Sequence, residues 1–245
     1  MRCSLLARVA SIATASKAPR ILCLHGGGSN AAVMRLQTAK LRAALPEVAF
    51  DFLEATRVMP AAEVDPRLRS RFGDAGFYNW YGVEYNAPTS PTKDLAAYVD
   101  TLLDPSVAFS YPGADLAMQR LEHAIRDDGP YDGLLGFSQG AVVITLLTAA
   151  RLRQGRSGPP DWRFNVCVCG MPSRAAELAH LFETPLPFPC TLAFGTEDPF
   201  YPWATRLRDV FEAPAVIEFE EGHRFPHSRQ ANEQIVAAVR GLLGD

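Results

Sequence analysis

The sequence predicts an α/β fold: a mostly parallel sheet of about six strands, with helices on both faces and one irregular, aromatic-rich, lid-like excursion. Three observations predict it. Six short, largely apolar runs alternate with stretches of helical periodicity, the pattern of strands joined by crossover helices. The runs are apolar at mostly consecutive positions, as strands covered on both faces require. A chain of 245 residues suffices for one large core and leaves little for a second enzymatic domain, so a single domain over residues 20–245 is expected.

Residues 1–19 precede the first run. No Asp or Glu occurs before residue 47, while Arg2, Arg8, Lys17 and Arg20 sit among Ser and Ala. That composition suits a transit peptide to a mitochondrion or plastid; the competing reading is a plain extension on a cytoplasmic protein. The first run is Ile21-Leu22-Cys23-Leu24. Residues 31–45 then set Val33, Leu36, Leu41 and Leu45 near helical spacing and stop at Pro46. The second run covers residues 48–53. From about 55 to 114 the alternation breaks: Pro, Gly and aromatic residues dominate, with one helical stretch around 92–103. So long an irregular insertion in a compact domain is usually a lid or a substrate-binding excursion. At its centre Phe77, Tyr78, Trp80 and Tyr81 are the candidate substrate-binding wall, the alternative being that these rings only cover a sheet edge.

Helical spacing returns over 115–127 with Leu116, Met118, Leu121 and Ile125. The third run, 133–137, leads into an Ala, Val and Leu-rich helix over 139–153 whose apolar breadth marks a buried central helix. Runs at 164–169, 190–194 and 216–219 and a closing helix over 228–243 complete the pattern.

Composition narrows the function classes. The 24 basic and 27 acidic side chains leave a net charge of −3 without like-charge blocks, so nucleic acid and anionic membranes are not expected partners and a small molecule is. No apolar run approaches the roughly 20 residues of a membrane-spanning helix. The five cysteines read as core thiols of a reducing compartment, and Cys167-Val168-Cys169 lacks the two-residue spacer usual in zinc pairs.

The segment Gly136-Phe137-Ser138-Gln139-Gly140 fits GxSxG. Alone the pattern is common, but here it ends an apolar strand and opens a long helix, the sharp turn that holds a serine hydroxyl exposed and strained. Ser138 is therefore the candidate nucleophile. A serine hydroxyl needs an imidazole to take its proton and a carboxylate to orient that imidazole. Asp198 follows the fifth run and His223 the sixth, in the order Ser, acid, His. Glu197 and His227 are the nearest competitors; His123 and His180 fall inside helical patterns. The oxyanion needs donors as well. Gln139, after the nucleophile, and Gly27, in Leu24-His25-Gly26-Gly27-Gly28, are the candidates, with His25 read as a structural loop residue. The loop has neither the P-loop lysine nor GxGxxG spacing. The chemistry calls for no metal or organic cofactor.

From about Arg20 onward, Ile21 to Gly26, Gly136 to Gly140, Gly195-Thr196-Glu197-Asp198 and above all Gly222-His223-Arg224-Phe225-Pro226 resemble the FSH family of serine hydrolases. The resemblance implies an α/β-hydrolase fold with Ser138, Asp198 and His223 as catalytic triad. It also implies cleavage of carboxylic esters of medium to long acyl chains or, alternatively, a thioesterase releasing acyl groups from an acyl carrier protein or coenzyme A. Gly28 makes the loop more glycine-rich than in many members, so the resemblance does not fix the loop donor. From another class, the fold could serve as a non-catalytic binding module; the complete Ser, acid and His set argues against it.

Overall fold

A computed structural model of the chain describes residues 17–73, 75–88, 94–153 and 160–244. The expected extension thus lies outside the described residues as far as residue 16. In chain order the elements are β1 (Arg20–Leu24), α1 (Ala31–Gln37), α2 (Ala39–Ala44), β2 (Ala49–Leu53), β3 (Arg57–Val58), α3 (Pro66–Phe72), β4 (Tyr78–Asn79), β5 (Glu84–Tyr85), α4 (Leu95–Leu103) and β6 (Phe109–Ser110). There follow α5 (Ala114–Asp128), β7 (Gly133–Phe137), α6 (Gln139–Arg153), β8 (Phe164–Val168), β9 (Cys190–Gly195), α7 (Tyr201–Ala204), β10 (Ala215–Phe219) and α8 (Arg229–Leu243).

All six apolar runs enter one parallel sheet, in the order β10-β9-β8-β7-β1-β2. Its two faces follow from the two-residue period of a strand. Leu22 and Leu24 pack with Leu121 and Ile125 of α5 and with α6, while Ile21 and Cys23 pack with Met34 of α1, Leu41 of α2 and Ile235 and Val239 of α8. From Gly140 to Ala150 every residue of α6 is buried, as its sequence predicts for a central helix. Each fully buried aliphatic side chain contributes about 1.5–3 kcal/mol, so stability concentrates in these two layers.

Two helical expectations are revised. The periodicity over 31–45 predicts one helix, but it divides at Thr38, whose hydroxyl donates to the Met34 carbonyl at 2.9 Å and competes with the backbone ladder. Leu36 and Leu116, counted in the periodic sets, face solvent. α3 was not apparent from periodicity because none of its residues is buried. Its end signals are nevertheless in the sequence: Asp65 caps the Arg67 N–H at 2.7 Å, Pro66 opens the first turn, and Gly73 closes it at φ 59°.

The topology selects where a site can form. The chain leaves β1 for β2 on one side and returns to β7 on the other, so the loops after β1 and β7 diverge and open a crevice at the carboxyl ends of the strands. The excursion, roughly residues 54–113, covers that crevice with two antiparallel pairs, β3 with β4 and β5 with β6. No helix among the described residues is long and apolar enough to cross a membrane.

Candidate active site

Three strand ends deliver three side chains to one point. After β7 the chain turns into α6 through Ser138, whose φ of 50° places a non-glycine residue in the left-handed region. The Ser138 N–H, donating to the Val168 carbonyl at 3.0 Å, pins the turn to β8. Glycine is needed on both sides. A Cβ on Gly136 would stand 2.5 Å from the Ala141 nitrogen, and one on Gly140 would stand 2.5 Å from the Leu24 carbonyl oxygen.

After β9, Asp198 is buried, and its Oδ1 accepts the Phe200 N–H at 2.8 Å. Its Oδ2 lies 2.6 Å from Nδ1 of His223, which follows β10. His223 Nε2 in turn lies 2.9 Å from Ser138 Oγ. Phe137 and Phe200 flank the imidazole at 5.3 and 5.2 Å between ring centres. With the carboxylate at Nδ1, the ring proton belongs there and the Nε2 lone pair faces the hydroxyl, the geometry in which an imidazole can take a serine proton. The competitors stand apart: Glu197, His123 and His180 are exposed, and His227 faces Glu221 with its side chain 66% exposed.

The loop after β1 closes the other side. His25 is fully buried, with Nδ1 2.7 Å from the Gly26 carbonyl oxygen and Nε2 accepting the Ala55 N–H at 3.1 Å, a structural placement as expected from sequence. The Gly28 N–H donates to Asn79 Oδ1 at 2.8 Å. The backbone N–H groups of Gly27 and Gln139, by contrast, donate to no acceptor among the described residues, and both residues line the cavity that contains Ser138. Gly27 cannot be larger, since a Cβ there would meet Gln139 Cδ at 2.8 Å.

That cavity encloses about 430 Å³. Of the four rings expected to form its wall, Tyr81 does so, and the other three are placed elsewhere. Phe77 packs in a separate cluster with Val33 and Val64. Tyr78 exchanges backbone hydrogen bonds with Ser29, and Trp80 clamps the β1 loop, its indole N–H donating to the His25 carbonyl at 2.7 Å and its backbone N–H to Gln139 Oε1 at 3.0 Å. From Tyr78 to Tyr81 the side chains alternate, Asn79 and Tyr81 lining the cavity and Tyr78 and Trp80 not, whereas Phe77, of the same parity as Asn79, leaves the alternation for the Val33 and Val64 cluster. The wall is completed by Tyr85, Tyr98, Tyr111, Phe200 and Trp203, most of them far from the aromatic centre of the excursion in sequence.

Sequence reasoning also missed Cys169, which follows β8 as Ser138 follows β7 and shares its left-handed backbone, at φ 48°. The Cys169 thiol donates to the Arg224 carbonyl at 3.4 Å, next to the turn that carries His223. Burial, and then the negative charge of Asp198, push its pKa up to about 12, so it is a neutral thiol at ordinary pH. Cys169 Sγ, the Asp198 carboxylate and His223 lie within 4.8 Å of one another. Both imidazole nitrogens are engaged, however, so this trio offers no free nitrogen lone pair to a metal ion. A larger hollow of about 660 Å³ lies between α2 and α8, where Arg229 and Arg240 are paired with Glu233 and Glu47, and no candidate site residue borders it.

The family model described as serine hydrolase (FSH1) matches residues 14–235. Among individual proteins, the chain is similar to esterase OVCA2 of Danio rerio, 28% identical over 218 residues that cover 84% of this chain and 90% of that protein. It is also similar to the dihydromonacolin L-[lovastatin nonaketide synthase] thioesterase of Aspergillus terreus, 36% identical over 153 residues that cover 60% of this chain and 52% of that one. Of solved structures, the carboxylesterase from Mesorhizobium loti superposes with a TM-score of 0.57 at 16% identity, over 92% of this chain and 90% of that one, a likeness of fold.

Proposed function

The chain belongs to the serine hydrolase (FSH1) family, and from that premise we propose that it cleaves carboxylic esters of apolar acyl groups, with Ser138, His223 and Asp198 as its triad. The observation that carries this reading is the unbroken hydrogen-bonded chain, 2.9 Å from Ser138 to His223 and 2.6 Å from His223 to Asp198, opening on an aromatic-walled cavity. Ser138 Oγ attacks the ester carbonyl carbon while His223 Nε2 takes its proton, and Asp198 stabilises the imidazolium through Nδ1–H. The oxyanion is held by the Gly27 and Gln139 N–H groups, which have no acceptor to leave among the described residues. Collapse expels the alcohol with the proton from His223 and leaves an acyl-serine. Water, deprotonated by His223, then releases the acid and restores Ser138. The chemistry uses no metal or cofactor.

A second reading, supported by the similarity to the Aspergillus terreus thioesterase, is release of an acyl group from a thioester of an acyl carrier protein or coenzyme A. Turnover of matched oxygen esters and thioesters decides between them. The catalytic assignment is tested with a fluorophosphonate: failure to label Ser138 in folded protein, together with no turnover of p-nitrophenyl esters, would falsify it. The buried, unpaired thiols of Cys23, Cys167, Cys169 and Cys190 support a reducing compartment, the cytoplasm, as the site of action. An organellar destination through residues 1–19 is the alternative, and imaging the full chain against one lacking them separates the two.

A further inference from the structure

The cavity wall contains polar groups that ester hydrolysis does not use. Tyr81, Tyr98 and Tyr111 line it and are 4%, 8% and 8% exposed. Their hydroxyls are not equivalent. That of Tyr111 accepts the Arg174 backbone N–H at 3.1 Å and has a structural role. Those of Tyr81 and Tyr98 make no hydrogen bond to any described group.

Both rings are packed in part against neighbouring aromatic side chains. Tyr81 stacks on Tyr111 at 4.6 Å, and Tyr98 lies against Tyr85 at 5.4 Å and edge-on to Phe200 at 6.3 Å. Neither hydroxyl is taken by a group among the described residues, so each is left for the cavity that both side chains line. Burial, and then the neighbouring tyrosines, hold both phenols above their ordinary pKa, so both are protonated donors at any pH where the protein works. A plain alkyl chain filling this space would displace water from two hydroxyls and give them no partner, which is unfavourable. A carbonyl oxygen has two lone pairs, which match two donors.

We infer that the acyl group received by this cavity carries a keto oxygen within its chain, bound by the hydroxyls of Tyr81 and Tyr98, which act as specificity-determining residues. The inference rests on the ester-hydrolase reading above and names its substrate class more closely: oxo-acyl rather than simple alkanoyl esters.

The test uses p-nitrophenyl octanoate beside the 5-, 6- and 7-oxooctanoate esters, and calorimetric binding of the corresponding free acids to the same protein. At least one oxo isomer should be favoured by about tenfold in kcat/KM over octanoate, and its acid should bind tighter than octanoic acid by a similar factor. Tyr81→Phe and Tyr98→Phe should each reduce that preference without lowering Tm, because neither hydroxyl has a partner to lose among the described residues. Tyr111→Phe, which abandons the Arg174 N–H, should lower Tm. Equal treatment of octanoate and every oxo isomer overturns the inference, as does a preference that survives in the double Tyr81→Phe, Tyr98→Phe variant. If no ester is cleaved while the oxo acids bind selectively, the hydrolase reading fails and the assignment of the tyrosine pair stands.

Discussion

The carboxyl edge of the sheet and the excursion that covers it hold their site residues in place by different means. Ser138, Asp198 and His223 sit one or a few residues beyond the five- or six-residue strands β7, β9 and β10, and the backbone register of the sheet places them. The excursion has only two-residue strands, and its residues are placed by side-chain contacts: a tyrosine stack, an indole N–H on the His25 carbonyl, an asparagine on the Gly28 N–H. Backbone register tolerates few alternatives, whereas side-chain packing tolerates many. On the proposed function, reaction type would reside in the sheet edge and much of the substrate choice in the excursion, with Phe200 and Trp203 adding to the wall from beyond it.

That division is broken or sharpened by substitutions on either side. Asp198→Asn, at the sheet edge, should lower kcat by about 10⁴-fold with little change in KM, as loss of the orienting carboxylate does elsewhere. An equally large loss from any single change in the excursion would break the comparison. At the joint between the regions, Gly27→Ala would drive a Cβ against the Gln139 side chain, and displacing one oxyanion donor should reduce kcat by about 10²-fold. Trp80→Phe withdraws the indole N–H from a buried carbonyl, so urea denaturation should register a loss of about 1–3 kcal/mol. Its kcat should fall by about tenfold, less than for Gly27→Ala, because the substitution keeps the Trp80 backbone N–H on Gln139 Oε1 and removes only the indole contact to His25.

The smallest effect is a pH dependence. Burial first of all raises the pKa of Cys23, Cys169 and Cys190 in the sheet and of Tyr81, Tyr98 and Tyr111 in the excursion. The unfolded chain loses these protons near pH 9.0 for the thiols and pH 10.0 for the phenols, while the native chain keeps them. Native protein then binds more protons than unfolded protein, so stability is fully present below about pH 9 and falls as pH rises toward 12. Tyrosinate absorbance of Tyr81, Tyr98 and Tyr111, taken as the difference between the protein and its Phe variants at these positions, should change together with far-ultraviolet circular dichroism. Tyrosinate appearing first would show that the excursion opens independently of the sheet.

The sheet was legible, and with it the meeting of Ser138, Asp198 and His223: in a parallel sheet with crossover helices each strand end faces the same way, so residues written after β7, β9 and β10 reach one edge, where they form the proposed triad. The placing of the glycine loop after β1 beside Ser138 was legible for the same reason, but that Asn79 takes the Gly28 N–H while the Gly27 N–H meets no acceptor among the described residues was not. In the excursion the abundance of rings was readable, but which of them face inward was not. Inward or outward depends on strand parity, and a two-residue strand leaves no periodicity from which parity can be read. Thus Trp80 reads as a pocket residue and is a clamp, while Tyr98 and Tyr111, carried by or next to helices and singled out by no sequence signal, line the cavity.

Ser138 and Cys169, on adjacent strand ends, both hold backbone angles that L-residues adopt at a disadvantage of about 1–2 kcal/mol and that glycine adopts freely. For laboratory evolution this makes thermal tolerance a misleading fitness measure: a selection rewarding heat resistance alone will enrich glycine at codon 138 and return robust protein without the proposed nucleophile. Only a screen that scores turnover and survival together can keep such a lineage alive.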